Sequence, residues 1–330
     1  MSEPMAAEAD SSGRRPVAAR LSVQRDRSLF SWAQAAGLIV LLAVILGTPG
    51  FLAGPSILSL LTTVSFIGCV AVGMTLITVS GNIMSFALGA TVGVTAMVFI
   101  VACNWLGFTL GLVIALLFGS LLTGLQGLLI GGVRANPIIV TIATLALIYG
   151  VTQAFAEKGT IYAEAGIVPS AVKGKIIGLP IEFLVFVLAT LVSQFLLSLT
   201  RFGRNLFMVG SSFRAAEAVG VSTWRTVTGA YLWAGFFTSL AGIMLAIRYE
   251  SANMDYGVAY DYDAIAAVLV GGTAIGGGAG SALRTFAGAM VIAAVQVMLL
   301  LKGLRQEWQY LAAGLIVLAV IILQARGSGR

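Results

Sequence analysis

The sequence predicts an all-α fold, a polytopic membrane protein of about ten transmembrane helices. Three observations carry that expectation. Hydrophobic residues make up 59% of the 330 residues and charged ones only 10%, where a soluble domain has about half and about a quarter. Apolar runs of about 20 residues, the length that spans a bilayer core, recur along the chain. The arginines between those runs gather on alternate connections, as the positive-inside rule demands.

Residues 1–31 are polar and rich in Ala, Ser and Arg. They read as a cytoplasmic tail carrying Arg14, Arg15, Arg20, Arg25 and Arg27. The run 32–52 is long for the apolar part of a signal peptide and lacks a small-residue cleavage site, so it reads as an uncleaved first helix. Further spans are expected at 56–79, 83–105, 108–132, 137–156, 180–199, 226–248, 261–279, 282–302 and 308–324. The membrane domain is therefore 32–324, followed by a short cytoplasmic tail at 325–330. Crossings that start inside place Arg134, the 200–226 connection, Arg326 and Arg330 in the cytoplasm. They place the mixed-charge segments 157–179, 250–260 and 302–307 outside.

Several function classes are excluded by what the chain lacks. It has no histidine, and Cys69 and Cys103 both lie in apolar runs, so neither a metal site nor a disulfide framework is supported. No cofactor is expected. The net charge of +6 belongs to membrane orientation rather than to nucleic-acid binding. The most glycine-dense stretch, GGTAIGGGAGS at 271–281, has no lysine to hold phosphates and reads as a break that lets membrane segments pack closely. Between Ser28 and Phe155 the only charged residue is Arg134. Glu250, Asp255, Asp261 and Asp263 cluster at an expected external helix end and read as interfacial residues. An ion-coupled carrier would need charge at membrane depth in the first half. The energy source is therefore expected outside this chain.

The segment 200–226, TRFGRNLFMVGSSFRAAEAVGVSTWRT, is a polar, arginine-bearing island among apolar runs. Ser211 or Ser212 can cap a short helix, Glu217 lies in its first two turns, and Gly220 marks its stop. Ala215, Ala216 and Ala218 would give it a small-residue outer surface. Such a helix can nest in a partner protein or rest on lipid headgroups. With Arg214, Ala215, Ala216 and Gly220 at its centre, the segment resembles the EAA-type coupling loop of bacterial ABC-importer permeases, Arg214 standing where the loop usually has glutamate. YDAIAAVLVGGTAIGGGAGS at 262–281 is similar to the signature of the branch that includes ribose, xylose and autoinducer-2 permeases. Asp263, Ala264, Ile265, Gly271, Gly272, Thr273, Gly278, Gly280 and Ser281 carry that likeness. Asn136-Pro137 before TIATLA resembles the entry to the branch's fifth helix.

One segment departs from the branch. GNIMSFALG at 81–89 lacks the usual acidic residue and reaches Gly89 one residue late. It reads as a broken helix beside a pathway. Asn82 and Ser85 can hydrogen-bond a hydroxylated solute there or cap the helix. Gln126, Asn136, Thr141 and Thr144 are further pathway candidates, or packing groups between helices.

The resemblance implies a type II permease in the bacterial inner membrane with both termini cytoplasmic. It implies a second permease copy, identical or homologous, cytoplasmic ABC ATPase subunits and a periplasmic solute-binding protein. Gly210, Ser211, Arg214, Ala215, Ala216, Glu217 and Gly220 would form the coupling element. The implied solute is a sugar or a sugar-like compound. A branched-chain amino acid or a nucleoside is the alternative within the class, and an ion-coupled carrier or a purely structural membrane subunit lies outside it.

Overall fold

In the computed structural model, residues 47–155, 159–169, 172, 174–176 and 178–328 are described. The chain there is a bundle of apolar helices. Helix α1 runs over Gly54–Val79, opened by a proline in its first turn, where no intrahelical N–H partner is lost. Then follow α2 (Leu88–Leu106), α3 (Phe108–Gly132), α4 (Pro137–Phe155) and α5 (Ile181–Leu199). The short helices α6 (Arg201–Ser211) and α7 (Phe213–Ala218) precede the long α8 (Thr223–Tyr249). Helices α9 (Tyr260–Val270), α10 (Ala282–Leu301) and α11 (Gln306–Ser328) complete the set. Seven helices among the described residues are long and apolar enough to span a membrane: α1 to α5, α8 and α10. The expected span 32–52 falls mostly outside the described residues, and its end, 47–52, forms turns.

Small residues decide how these helices meet. Along α3, Gly111, Ala115, Gly119, Thr123, Gly127 and Gly131 recur every fourth position, and all are buried. The stripe lets the α3 and α8 backbones approach closely. A methyl group added at Gly131 would lie 3.0 Å from the Trp224 carbonyl, so any larger residue forces the two helices apart. Several buried hydroxyls bond within their own helices, as Thr75 donates to the Ala71 carbonyl and Thr123 to that of Gly119. The Thr75 and Thr285 hydroxyls also share a 2.7 Å hydrogen bond, joining α1 to α10.

The two sides of the bundle are fixed by contacts between distant segments. On one side, β1 (Thr160–Tyr162) pairs antiparallel with β4 (Ser251–Asn253). The two-residue strands β2 (Lys175–Ile176) and β3 (Leu179–Pro180) pair before α5. On the other, Arg134 after α3 meets Glu217 in α7, and the Gly278 N–H reaches the Val79 carbonyl at the end of α1. Residues 160–162 and 251–253 thus share one side, and 134, 200–222 and 271–281 share the opposite one, as the alternation of crossings requires.

Two expected spans are broken. The first begins at Leu88 rather than 83, because residues 80–87 fold back beside α1 and the Ser85 N–H meets the Met74 sulfur at 3.3 Å. The second, expected as 261–279, is helical only over Tyr260–Val270. Eleven residues of helix reach about 16 Å, half a bilayer core. The rest of that crossing is one turn of 3-10 helix, Met254–Gly257, and irregular chain. Residues 254–259 descend beside α2, with the Gly257 and Gly89 backbones in contact, and glycines 271–280 turn sharply at the far end. Irregular backbone at this depth survives because protein surrounds it.

Candidate functional site

Two sites follow from this arrangement, one at the face carrying α7 and one at the broken helices. At the first, Thr200 caps α6 by accepting from the Gly203 N–H at 3.1 Å. Leu206 and Val209 are buried, while Arg201 and Arg204 on the opposite face are exposed. Ser212 caps α7 by accepting from the Ala215 N–H at 3.3 Å. At its end Gly220 adopts a φ of 81°, a left-handed position that favours glycine, and the Val221 N–H bonds back to the Ala216 carbonyl.

The orientation of α7 corrects one expectation. Ala216 is 2% exposed and belongs to the main apolar core, because a helix lying on the bundle must bury one of its faces. Ala215, Ala218 and Val219 stay exposed, as does Arg214. Glu217 ties the helix down through a 2.6 Å ion pair to Arg134 and accepts from the Thr223 hydroxyl. The Arg134 guanidinium lies over the Phe213 ring, 5.0 Å from its centroid. A groove of about 370 Å³ runs between α6 and α7, bounded by Phe207, Met208, Ser211, Ser212, Ala215 and Val219.

Gly210 faces inward. A Cβ there would collide with the Val79 carbonyl and would lie 2.5 Å from the Gly278 nitrogen. Gly277 packs in the same way on Gly81. Glycines from the end of α6, the 80–87 break and the 271–281 loop therefore meet backbone to backbone. The α6–α7 unit and both broken crossings are joined at one place.

At the second site the residues differ from those expected. A cavity of about 590 Å³ lies between the 83–86 segment, α9 and α11. Its walls are apolar apart from Asp263, and Phe86, Tyr262 and Tyr310 contribute rings. Asp263 is 6% exposed rather than interfacial. Asp261 also leaves the interface, accepting the Gly89 N–H at 2.7 Å and so capping the start of α2 from another helix. In the sequence both look like loop residues at the head of an apolar run. Burial follows from the descent of 254–259, which no periodicity announces.

The expected pathway residues are dispersed. Asn82 donates to the Ser80 hydroxyl at 2.7 Å, and Ser85 is buried and accepts from the Ala87 N–H at 3.3 Å. Gln126 is buried in α3, with neither end of its amide hydrogen-bonded among the described residues. Asn136 is exposed and caps α4 through the Ile138 N–H at 3.0 Å. Thr141 and Thr144 each donate to carbonyls of their own helix. None of these six lines the cavity.

Residues 56–321 match a family described as branched-chain amino acid transport system / permease component. Among curated relatives, a ribose import permease of Bacillus subtilis is 30% identical over 300 residues, covering 88% of this chain and 92% of that protein. A ribose import permease of Haemophilus influenzae is 28% identical over 291 residues, covering 86% and 90%. An autoinducer 2 import system permease of Escherichia coli is 28% identical over 263 residues, covering 78% and 79%. No solved structure matches the chain. With its spanning helices and a match over most of its length, the chain belongs to the family of ABC-importer permease components.

Proposed function

We propose that this protein is the inner-membrane permease of an importer that takes up a sugar or sugar-like solute handed over by a periplasmic binding protein. ATP hydrolysis belongs to separate cytoplasmic subunits, and two permease copies enclose the pathway. Both termini lie in the cytoplasm. The observation that carries this reading is the junction of α6 and α7 with the two broken crossings. A partner that pulls on α7 moves Gly210, and Gly210 cannot move without displacing Val79 and Gly278. Differential contact of α7 with open and closed ATPase states then biases the pathway. The family description mentions branched-chain amino acids, while the ribose and autoinducer-2 permeases among the relatives favour a hydroxylated solute.

The test uses the groove beside α7. Asp introduced at exposed Ala215 puts an unpaired charge where a partner would seat, without touching the core under Ala216. Ala215→Asp is expected to reduce both ATPase co-purification and ATP-driven ribose uptake at least about tenfold, with membrane insertion unchanged. Unimpaired uptake by this variant removes α7 as the coupling element.

A further inference from the structure

We propose that the face formed by residues 82–87, α9 and α11 is where a second copy of this chain docks, the same patch of each copy covering the other about a twofold axis. The proposal rests on the import reading for the presence of a second permease and names the surface that meets it. The backbone of 82–87 carries the case. The N–H groups of Asn82, Ile83, Met84 and Phe86 have no hydrogen-bond partner among the described residues. This stretch lies at membrane depth. Ser85 meets Met74 more than a turn before the end of α1, and Gly89 bonds Asp261 at the head of α9, about 16 Å from the glycine loop. Lipid offers no hydrogen bonds, so irregular backbone at this depth persists only against protein or a water-filled passage. Yet Ile83 is 46% exposed. Val258 and Ile275, from the other two irregular stretches, and Tyr262 in α9 are exposed around the same cavity. The described helices leave this face open, and lipid cannot cover it.

The face suits its own copy. A twofold axis brings each charge near its counterpart, and like charges in contact repel. Here the one charged wall residue, Asp263, is buried, and the exposed positions are apolar or aromatic. Knob and hole share the patch, as a self-complementary surface requires. Ile83, Tyr262 and Ile275 project beside a cavity of about 590 Å³, and on α11 a side chain added at Gly314 would enter open space. Small residues such as Ala313 and Gly314 let a second membrane helix approach closely. A soluble partner reaches only the ends of the bundle, whereas this face lies along its flank.

Single cysteines on the full-length chain, expressed without other transport subunits, test the face, since its own Cys69 and Cys103 are buried. Ile83→Cys, Tyr262→Cys and Ile275→Cys lie on it. Leu121→Cys in α3 and Leu191→Cys in α5 are also exposed, but on unbroken helices that lipid can cover. In membrane vesicles these variants are treated with a permeant bismaleimide spanning about 10 Å, a usual distance between packed helices. The first set is expected to give at least about fivefold more crosslinked dimer than the second. Gly314→Trp fills the hole and is expected to weaken self-association about tenfold, measured by energy transfer between labelled copies diluted in vesicles.

Equal or greater crosslinking through Leu121→Cys or Leu191→Cys, no crosslinked dimer from any position, or unchanged association of the Gly314→Trp protein overturns the proposal. The cysteine variants decide the first two results whether or not Gly314→Trp folds. Ribose uptake by cells is measured in parallel. Crosslinks through the proposed face without uptake would mean that the import reading fails and the face stands. Uptake with crosslinks only through α3 or α5 would mean the reverse.

Discussion

At the scale of single residues, the side on which a small residue packs matters more than its type. Ala215 and Ala216 are neighbours in sequence, yet one is exposed and the other is buried in the main core. Acidic substitution at Ala216 would therefore damage folding before it could report on a partner. The same contrast holds among the glycines. Gly210 lies between backbone atoms of Val79 and Gly278, which cannot swing aside as a flexible side chain could, while nothing lies within 4 Å of a Cβ at Gly132. Gly210→Ala is expected to cost about 1–3 kcal/mol, the usual penalty for overpacking, and to abolish uptake. Thermal unfolding in detergent checks this, with Gly132→Ala expected to unfold at or above the parental temperature. Equal behaviour of the two variants would contradict the close backbone junction.

At the scale of elements, α7 was legible from its capping serine and terminal glycine, because a cap is a local hydrogen-bond requirement written in adjacent residues. Its anchorage was not, since Arg134 and Glu217 are 83 positions apart. The pair is 65% and 40% exposed, so it is worth at most about 1 kcal/mol and mainly fixes orientation. Charge reversal at either position, Arg134→Glu or Glu217→Arg, is expected to weaken ATPase association. The double reversal should restore most of it, with a coupling energy of about 0.2–1 kcal/mol in a double-mutant cycle. Additive losses would show that the pair does not hold α7. The half-helix α9 teaches the complementary lesson. Hydropathy carried 261–279 through as one span, because glycine is apolar enough to pass while being among the poorest residues at sustaining a helix.

At the scale of the whole molecule, the two broken crossings lean on each other. The carboxylate of Asp261 at the head of α9 receives the Gly89 N–H at the head of α2. Replacing Asp261 with Ala leaves that N–H without its acceptor and is expected to cost about 1.5–3 kcal/mol, the range for hydrogen bonds to charged groups. A thermal shift in the purified permease measures it, and an unchanged unfolding temperature would remove the bond from the supports of the fold. The sequence by itself determined the membrane class, the position of seven spans, the alternation of sides and the polar island that became α6 and α7. Each of these depends on composition, on run length or on charge within a short window. Only the tertiary structure decided that the glycine loop, the 80–87 break and the end of α6 touch, that Ala216 faces inward, and that Asp261 and Asp263 leave the interface for the interior. Those outcomes depend on chain returning past its own helices, and contacts between distant segments leave no period in the sequence.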